Sequence, residues 1–240
     1  MNIYAHRGAS ARCPENTMTA FITALTDGAD GIELDVHLTK DDIPVVLHDA
    51  TLKRTTGLHH VVRELTWTHL QALLVEKGFK GNLTPVPKLQ DVLVWGKQKN
   101  MLFNIELKWP RHGNVNIEKI VLNLVKDLAF EDQTMFSSFY APTLHRLKHL
   151  DRSIETALIV SGSRKRVLLE AGACQADGVH MKRRLLQPMF VQHVKKQGFK
   201  VRGYTLNQPI DLVHAYSLSL DGVITDRPAL ARRVIAQLQQ

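Results

Sequence analysis

Asp177-Gly-Val-His-Met-Lys182, a stretch from Pro188 to Gly198, Val201-Arg-Gly-Tyr204, a stretch opened by Pro209, Asp221-Gly-Val-Ile-Thr225 and a last stretch opened by Pro228 follow one another to the end of the chain. Short β-rich runs alternate here with amphipathic segments, and each amphipathic segment starts at a proline, whose fixed φ suits a first helical turn. That alternation is the signature of βα units around a parallel sheet. Followed back to the N-terminus, it places strand starts near Ile3, Gly31, Leu102, Thr134, Glu155, Asp177, Val201 and Asp221. The intervening helices have legible punctuation. The segment after Pro14 closes at Gly28, that from Asn116 carries Ile117, Ile120, Val121, Leu124, Val125 and Leu128 on one face, and Pro142 opens another. Eight strands, each followed by a helix, predict an α/β fold of the TIM-barrel type, a (β/α)8 barrel. A length of 240 residues suits a single domain of this kind, so residues 1–240 are read as one barrel.

One crossover is too long. The excess lies between residues 39 and 100, and its first part, Gly31-Ile-Glu-Leu-Asp-Val-His-Leu38 then Thr-Lys-Asp-Asp then Ile43-Pro-Val-Val-Leu-His-Asp49, has two extended runs joined by a turn too short for a parallel crossover. A hairpin is expected, with paired residue numbers summing to about 81 and His48 opposite Glu33. The remainder, about residues 49–88, reads as a small insertion after the second strand, with a short helix around Leu65 to Leu74.

Composition narrows the class without naming a chemistry. The chain is 44% hydrophobic and 22% charged, with no apolar run approaching a membrane span and no secretory leader pattern at Met1. Cys13 and Cys174 form no disulfide framework and no CxxC pair, which points to a reduced, cytoplasmic protein. Lysine and arginine outnumber acids 31 to 23, chiefly in the second half, favouring an anionic ligand. The clusters Arg164-Lys165-Arg166 and Lys182-Arg183-Arg184 lack the interleaved aromatics of a single-strand binder, so no nucleic-acid partner is expected.

In a barrel of this type, chemistry sits at the C-terminal ends of the strands. Those ends are where the polar residues fall: His6-Arg7-Gly8, Glu33-Leu-Asp35, Asn104-Ile-Glu106-Leu-Lys108, Tyr204-Thr-Leu-Asn207 and Thr225-Asp226. Glu33 and Asp35 share one face of their strand, as do Glu106 and Lys108. Three inward carboxylates cannot stay uncompensated. Either neighbouring cations neutralise them in a salt-bridge network, or they hold a hard divalent ion, Mg2+ or Ca2+, for which oxygen ligands are suited. His6 and His48 fall at the same rim and can serve as one base and one acid. Arg7 and Lys108 can stabilise the charge of a phosphoryl group. Walker, Gly-x-Gly-x-x-Gly and Gly-x-Ser-x-Gly motifs are absent, and Cys13 and the remaining histidines are assigned no role.

The set His6-Arg7-Gly8, Pro14-Glu-Asn-Thr17, Glu33-Leu-Asp35-Val, His48-Asp49, Thr51-Leu-x-Arg54-Thr-Thr-Gly57, Glu106-Leu-Lys108, Tyr204-Thr-Leu-Asn207 and Asp221-Gly-Val-Ile-Thr-Asp226 resembles the glycerophosphodiester phosphodiesterase family. The resemblance spans nearly the whole chain in the family's order. It implies metal-dependent cleavage of small glycerophosphodiesters, such as glycerophosphocholine and glycerophosphoethanolamine, to sn-glycerol 3-phosphate and an alcohol. It further implies that Glu33, Asp35 and Glu106 hold one divalent cation, that His6 and His48 are the catalytic histidines, and that Arg7 and Lys108 contact phosphate. Tyr204 stands where the family commonly has tryptophan, keeping an aromatic wall against the glycerol while adding a hydroxyl.

Two rival functions share these residues. A lysophospholipase D on the same barrel would need an apolar groove, for which Leu58, Val61, Val62, Trp67 and Phe79 are the candidates. A non-catalytic, anion-binding relative would show damage to the metal or histidine set, and none is visible. The expected partner is therefore a small-molecule glycerophosphodiester, without nucleic acid or stable membrane association.

Overall fold

The computed structural model describes residues 1–75, 84–109 and 116–239. Its strands are β1 (Asn2–His6), β2 (Gly31–Leu38), β3 (Pro44–Val46), β4 (Leu74–Val75), β5 (Thr84–Pro85), β6 (Leu102–Leu107), β7 (Thr134–Ser138), β8 (Glu155–Val160), β9 (Gly178–Lys182), β10 (Lys200–Tyr204) and β11 (Gly222–Thr225). Among the described residues, eight of these run parallel in the order β1-β11-β10-β9-β8-β7-β6-β2, and β2 returns to β1 to close a barrel. Every expected strand start lies within one residue of an observed one. The helices are α1 (Met18–Thr26), α2 (Lys53–Thr56), α3 (Trp67–Leu70), α4 (Leu89–Gln98), α5 (Ile117–Asp127), α6 (Ala141–Leu150), α7 (Val167–Ala173), α8 (Pro188–Lys196), α9 (Pro209–Ser217) and α10 (Pro228–Leu238). Pro142, Pro188, Pro209 and Pro228 occupy first-turn positions as expected. Helix α1 begins four residues after Pro14 because Thr17 caps it, its Oγ1 accepting from the Ala20 amide at 3.3 Å.

Strand parity divides the sequence between two interiors. Ile3, Ala5, Ile32, Leu34, Phe103, Ile105, Phe136, Val179, Val201 and Val223 face outward into one continuous core beneath the helices. Each fully buried large side chain there contributes about 1.5–3 kcal/mol. The alternate positions face the barrel axis, where Tyr4, Met135 and Ile224 form a separate apolar plug with Leu102 and Tyr204 against it. The axial positions nearer the C-terminal mouth are polar, and both faces are covered, so the strands are buried along most of their length although their sequences are not continuously apolar.

The hairpin forms, but its register differs from the expected one. Val36 pairs with Val46, His37 with Val45 and Leu38 with Pro44, so the numbers sum to 82. The turn has three residues between Thr39 and Ile43, and Asp42 adopts a left-handed backbone with φ 61°. Such a loop ends in a left-handed residue and shifts the pairing by one. The strand ends at Val46, one further bond of the same register runs from the Leu47 amide to the Asp35 carbonyl at 3.0 Å, and His48 follows at the start of a bend; it does not face Glu33.

The insertion has its own small core of Val45, Leu47, Leu52, Val62, Leu70 and Val86, with Trp67 packed against it. Its helix is shorter than expected, because Leu74 and Val75 leave it to pair antiparallel with Pro85 and Thr84.

Candidate active site

The turn out of β1 sets one wall. Arg7 has φ 56° and Gly8 φ 82°, both left-handed, and a Cβ on Gly8 would lie 2.7 Å from the Ala20 backbone. Only glycine permits this close approach of the loop to α1. The turn aims the Arg7 amide at Glu33, to whose Oε2 it donates at 3.1 Å, and brings Arg7 Nε to 3.2 Å from Asp35 Oδ2. Asn16, also left-handed at φ 57°, donates from Nδ2 to the same oxygen at 2.8 Å.

Glu33 and Asp35 on β2 and Glu106 on β6 converge, each offering one oxygen, with these oxygens all within 4.8 Å of one another. Lys108 Nζ lies 2.7 Å from Asp35 Oδ1 and also donates to Glu106 Oε1. Burial opposes ionisation of Asp35, yet Lys108 and Arg7 hold its carboxyl well below the usual range. The other two acids behave differently. Burial, then repulsion from Asp35, pushes Glu106 up to about 8 and raises Glu33 despite the nearby cations. Neighbouring cations thus outweigh burial for Asp35, while Glu106, though paired with Lys108, and Glu33 remain undercompensated. The all-oxygen donor set and the residual repulsion between Glu33, Asp35 and Glu106 fit a hard dication.

Each histidine is held by its own aspartate. His6 Nδ1 is 2.6 Å from Asp226 Oδ1, and Asp226 is steadied by Ser10 Oγ at 3.0 Å and Asn207 Nδ2 at 2.5 Å. His48 Nδ1 is 2.6 Å from Asp49 Oδ1. Arg54 donates to Asp49 and forks onto Glu15 at 2.7 and 2.8 Å, while Glu15 also accepts from Arg7 at 3.0 Å. The two environments differ in sign. Burial lowers the His48 pKa, with Lys108 and Arg7 acting in the same direction, whereas for His6 the opposing effect of burial is outweighed by Glu33 and Asp226, which raise it.

The eight expected site residues meet at one mouth. Asp35 is fully buried behind Arg7, Lys108 and Asn16, and His6, Arg7, Glu33, His48, Glu106, Lys108 and Tyr204 line a cavity of about 360 Å3. Tyr204 donates its hydroxyl to the Val160 carbonyl at 3.1 Å, and burial, with Glu106 nearby, pushes its pKa up to about 12. Its ring meets exposed Phe139 edge-on at 6.4 Å.

Sequence reasoning left several contributors without roles. Asp49, Asp226, Asn207, Glu15, Asn16 and Arg54 lay in the quoted motifs, but only the fold brings them to the histidines and carboxylates. Lys182 and Arg183, of the basic cluster that lacks interleaved aromatics, line the cavity with Asn104 and His180. Of the residues considered for a lipid groove, Val62 and Trp67 pack into the insertion's core, Leu58 is exposed, and Phe79 lies outside the described residues. No helix among the described residues is long and apolar enough to cross a membrane.

The sequence model of the glycerophosphoryl diester phosphodiesterase family matches residues 6–230. An uncharacterized protein of Bacillus subtilis, YqiK, is 37% identical over 239 residues, covering 97% of this chain and 98% of its own. A glycerophosphodiester phosphodiesterase of Caldanaerobacter subterraneus is 33% identical, covering 94% of each chain. Among solved structures, a phosphodiesterase of Oleispira antarctica in complex with the product sn-glycerol-3-phosphate superposes with a TM-score of 0.89 at 27% identity, covering 98% of this chain and 97% of that one.

Proposed function

The chain belongs to the glycerophosphoryl diester phosphodiesterase family, and on that premise we propose that its barrel mouth hydrolyses glycerophosphodiesters, glycerophosphocholine and glycerophosphoethanolamine among them, to sn-glycerol 3-phosphate and an alcohol. The observation that carries this reading is the pair of aspartate-held histidines beside three converging carboxylates in one cavity. We take residues 1–240 as one phosphodiesterase domain with an insertion at about 49–88, and the cytoplasm as its location; both cysteines are buried free thiols.

Glu33, Asp35 and Glu106 would hold one divalent cation, Mg2+ or Ca2+, which when bound supplies a Lewis acid for the phosphoryl oxygen. Arg7 and Lys108 add fixed positive charge for the phosphoryl group. Each aspartate accepts from Nδ1 of its histidine and so leaves Nε2 as the working nitrogen. His48, held low, begins neutral and takes the proton of the attacking hydroxyl; His6, held high, begins charged and returns a proton to the departing alcohol.

Release of sn-glycerol 3-phosphate tests this directly. Turnover is expected to vanish on chelation and to return with Mg2+ or Ca2+. Full turnover in excess EDTA, with no metal retained by the protein, would overturn the assignment of the carboxylates.

A further inference from the structure

Deeper in the barrel than Glu106 and Lys182 lie two polar side chains that the proposed chemistry does not use, one of them, Asn104, paired in register with Glu33. Asn104 on β6 stands two residues before Glu106, and His180 on β9 two before Lys182. Both therefore point toward the barrel axis one pleat below the rim, about 7 Å deeper. Each is 1% exposed and each lines the cavity. Among the described residues, neither amide atom of Asn104 and neither ring nitrogen of His180 has a hydrogen-bond partner. Buried polar atoms are rarely left so, and four on two side chains lining one cavity point to a ligand group that completes them.

The chemistry of that group follows from the pair. Burial, and then the charge of Arg202, hold the His180 pKa well below its ordinary value, so its imidazole is neutral, with one donor and one acceptor. The Asn104 amide likewise offers both. A neutral donor–acceptor floor complements a hydroxyl and gives no charge to an ammonium or a second anion. The outer end of the cavity, with exposed Lys182, Arg183 and Phe139, is open and suits a leaving group that varies. The floor is closed below by Tyr4, Met135 and Ile224. It suits the part that every member of the substrate class shares.

Resting on the phosphodiesterase reading above, we propose that Asn104 and His180 bind the terminal hydroxyl of the glycerol moiety, so that the substrates are diesters in which this hydroxyl is free. A fatty acyl ester there removes the hydroxyl's proton and would drive a chain into the apolar plug, so 1-acyl lysophospholipids are excluded.

The test compares glycerophosphocholine with an analogue whose terminal hydroxyl is replaced by hydrogen while the 2-hydroxyl is kept. The wild-type enzyme is expected to prefer the first by about ten- to a hundredfold in kcat/KM, the size of a hydrogen-bond set lost from a buried site. His180→Leu and Asn104→Leu should lose more on glycerophosphocholine than on the analogue and shrink that preference, His180→Gln should restore part of it, and 1-acyl lysophosphatidylcholine should be a poor substrate. Thermal melting separates this from a structural role, because exchanging an unpartnered buried polar group for an apolar one should hold or raise the melting temperature. An unchanged preference in cooperatively folded variants, or lysophosphatidylcholine cleaved as fast as glycerophosphocholine, would overturn the proposal. Should the variants not fold, calorimetry on the wild-type protein decides: equal affinity for sn-glycerol 3-phosphate and its terminally deoxygenated form overturns it, and tighter binding of the former supports it. A wild-type enzyme that cleaves none of the diesters with Mg2+ or Ca2+ refutes the phosphodiesterase reading instead, and the hydroxyl site is then judged on the calorimetry alone.

Discussion

Asp226→Asn isolates the tautomer and charge that His6 needs. An asparagine amide donates where the carboxylate accepts, so it favours the wrong ring nitrogen, and the cost in kcat should be about 10^3–10^4, as for the aspartate of a serine protease triad. The pH profile carries a second signature. Rate should rise as His48 loses its proton below the ordinary histidine value and fall as His6 loses its proton above it, giving a bell in kcat/KM. Because the Asp226 hydrogen bond helps raise His6, Asp226→Asn should move the descending limb to lower pH and leave the ascending limb nearly in place; a shift of the ascending limb would reverse the acid and base assignments. What His48 deprotonates is a separate question. The glycerol 2-hydroxyl is already on the substrate, and effective molarities for such internal attack reach about 10^5 M or more, so a cyclic phosphate is the expected first product, which a water then opens to sn-glycerol 3-phosphate with His6 and His48 exchanging the acid and base roles. An analogue with hydrogen in place of the 2-hydroxyl should bind and not turn over, and turnover near that of glycerophosphocholine would assign the attack to water.

The insertion between β3 and α4 meets the site, among the described residues, through Asp49 and Arg54. Asp49 and Arg54 at its start tie His48 to Glu15, while its own small core keeps that lobe apart from the packing of the barrel. Loops on the catalytic face carry specificity and strand ends carry chemistry. Exchanging residues 58–87 for a relative's segment, with Asp49 and Arg54 retained, should therefore change the ratio of choline to ethanolamine or inositol substrates more than it changes the rate on the best one. Equal losses on every substrate would mean that the segment only supports the fold.

Across the molecule, the carboxylate cluster couples stability to pH and metal. Glu106 is raised to about 8 in the folded protein against an ordinary carboxylate value when unfolded. Such a group stabilises the fold fully below its unfolded pKa, and that contribution is lost as pH rises through the folded value. Metal-free protein should thus melt at lower temperature at pH 8.5 than at pH 6, and Mg2+ or Ca2+ should remove much of the difference; Glu106→Gln should weaken the pH trend, leaving the part due to Glu33 and His6, and should weaken the metal response. A melting temperature flat across that range would show that Glu106 ionises normally. Much of this molecule was readable from local chemistry. Strand starts, proline-opened helices and the inward parity of Glu33, Asp35, Glu106 and Lys108 are properties of neighbouring residues, set by φ preference and the two-residue repeat of a strand. The hairpin was readable too, but not its register, which depended on whether Asp42 would take a left-handed backbone. The pairing of His6 with Asp226, 220 positions apart, of Glu15 with Arg54, and of Asn104 with His180 around one cavity belongs to barrel closure. No local pattern encodes those distances, because contacts between residues far apart in the chain exist only once the strands that carry them have paired, β11 with β1 in the case of His6 and Asp226.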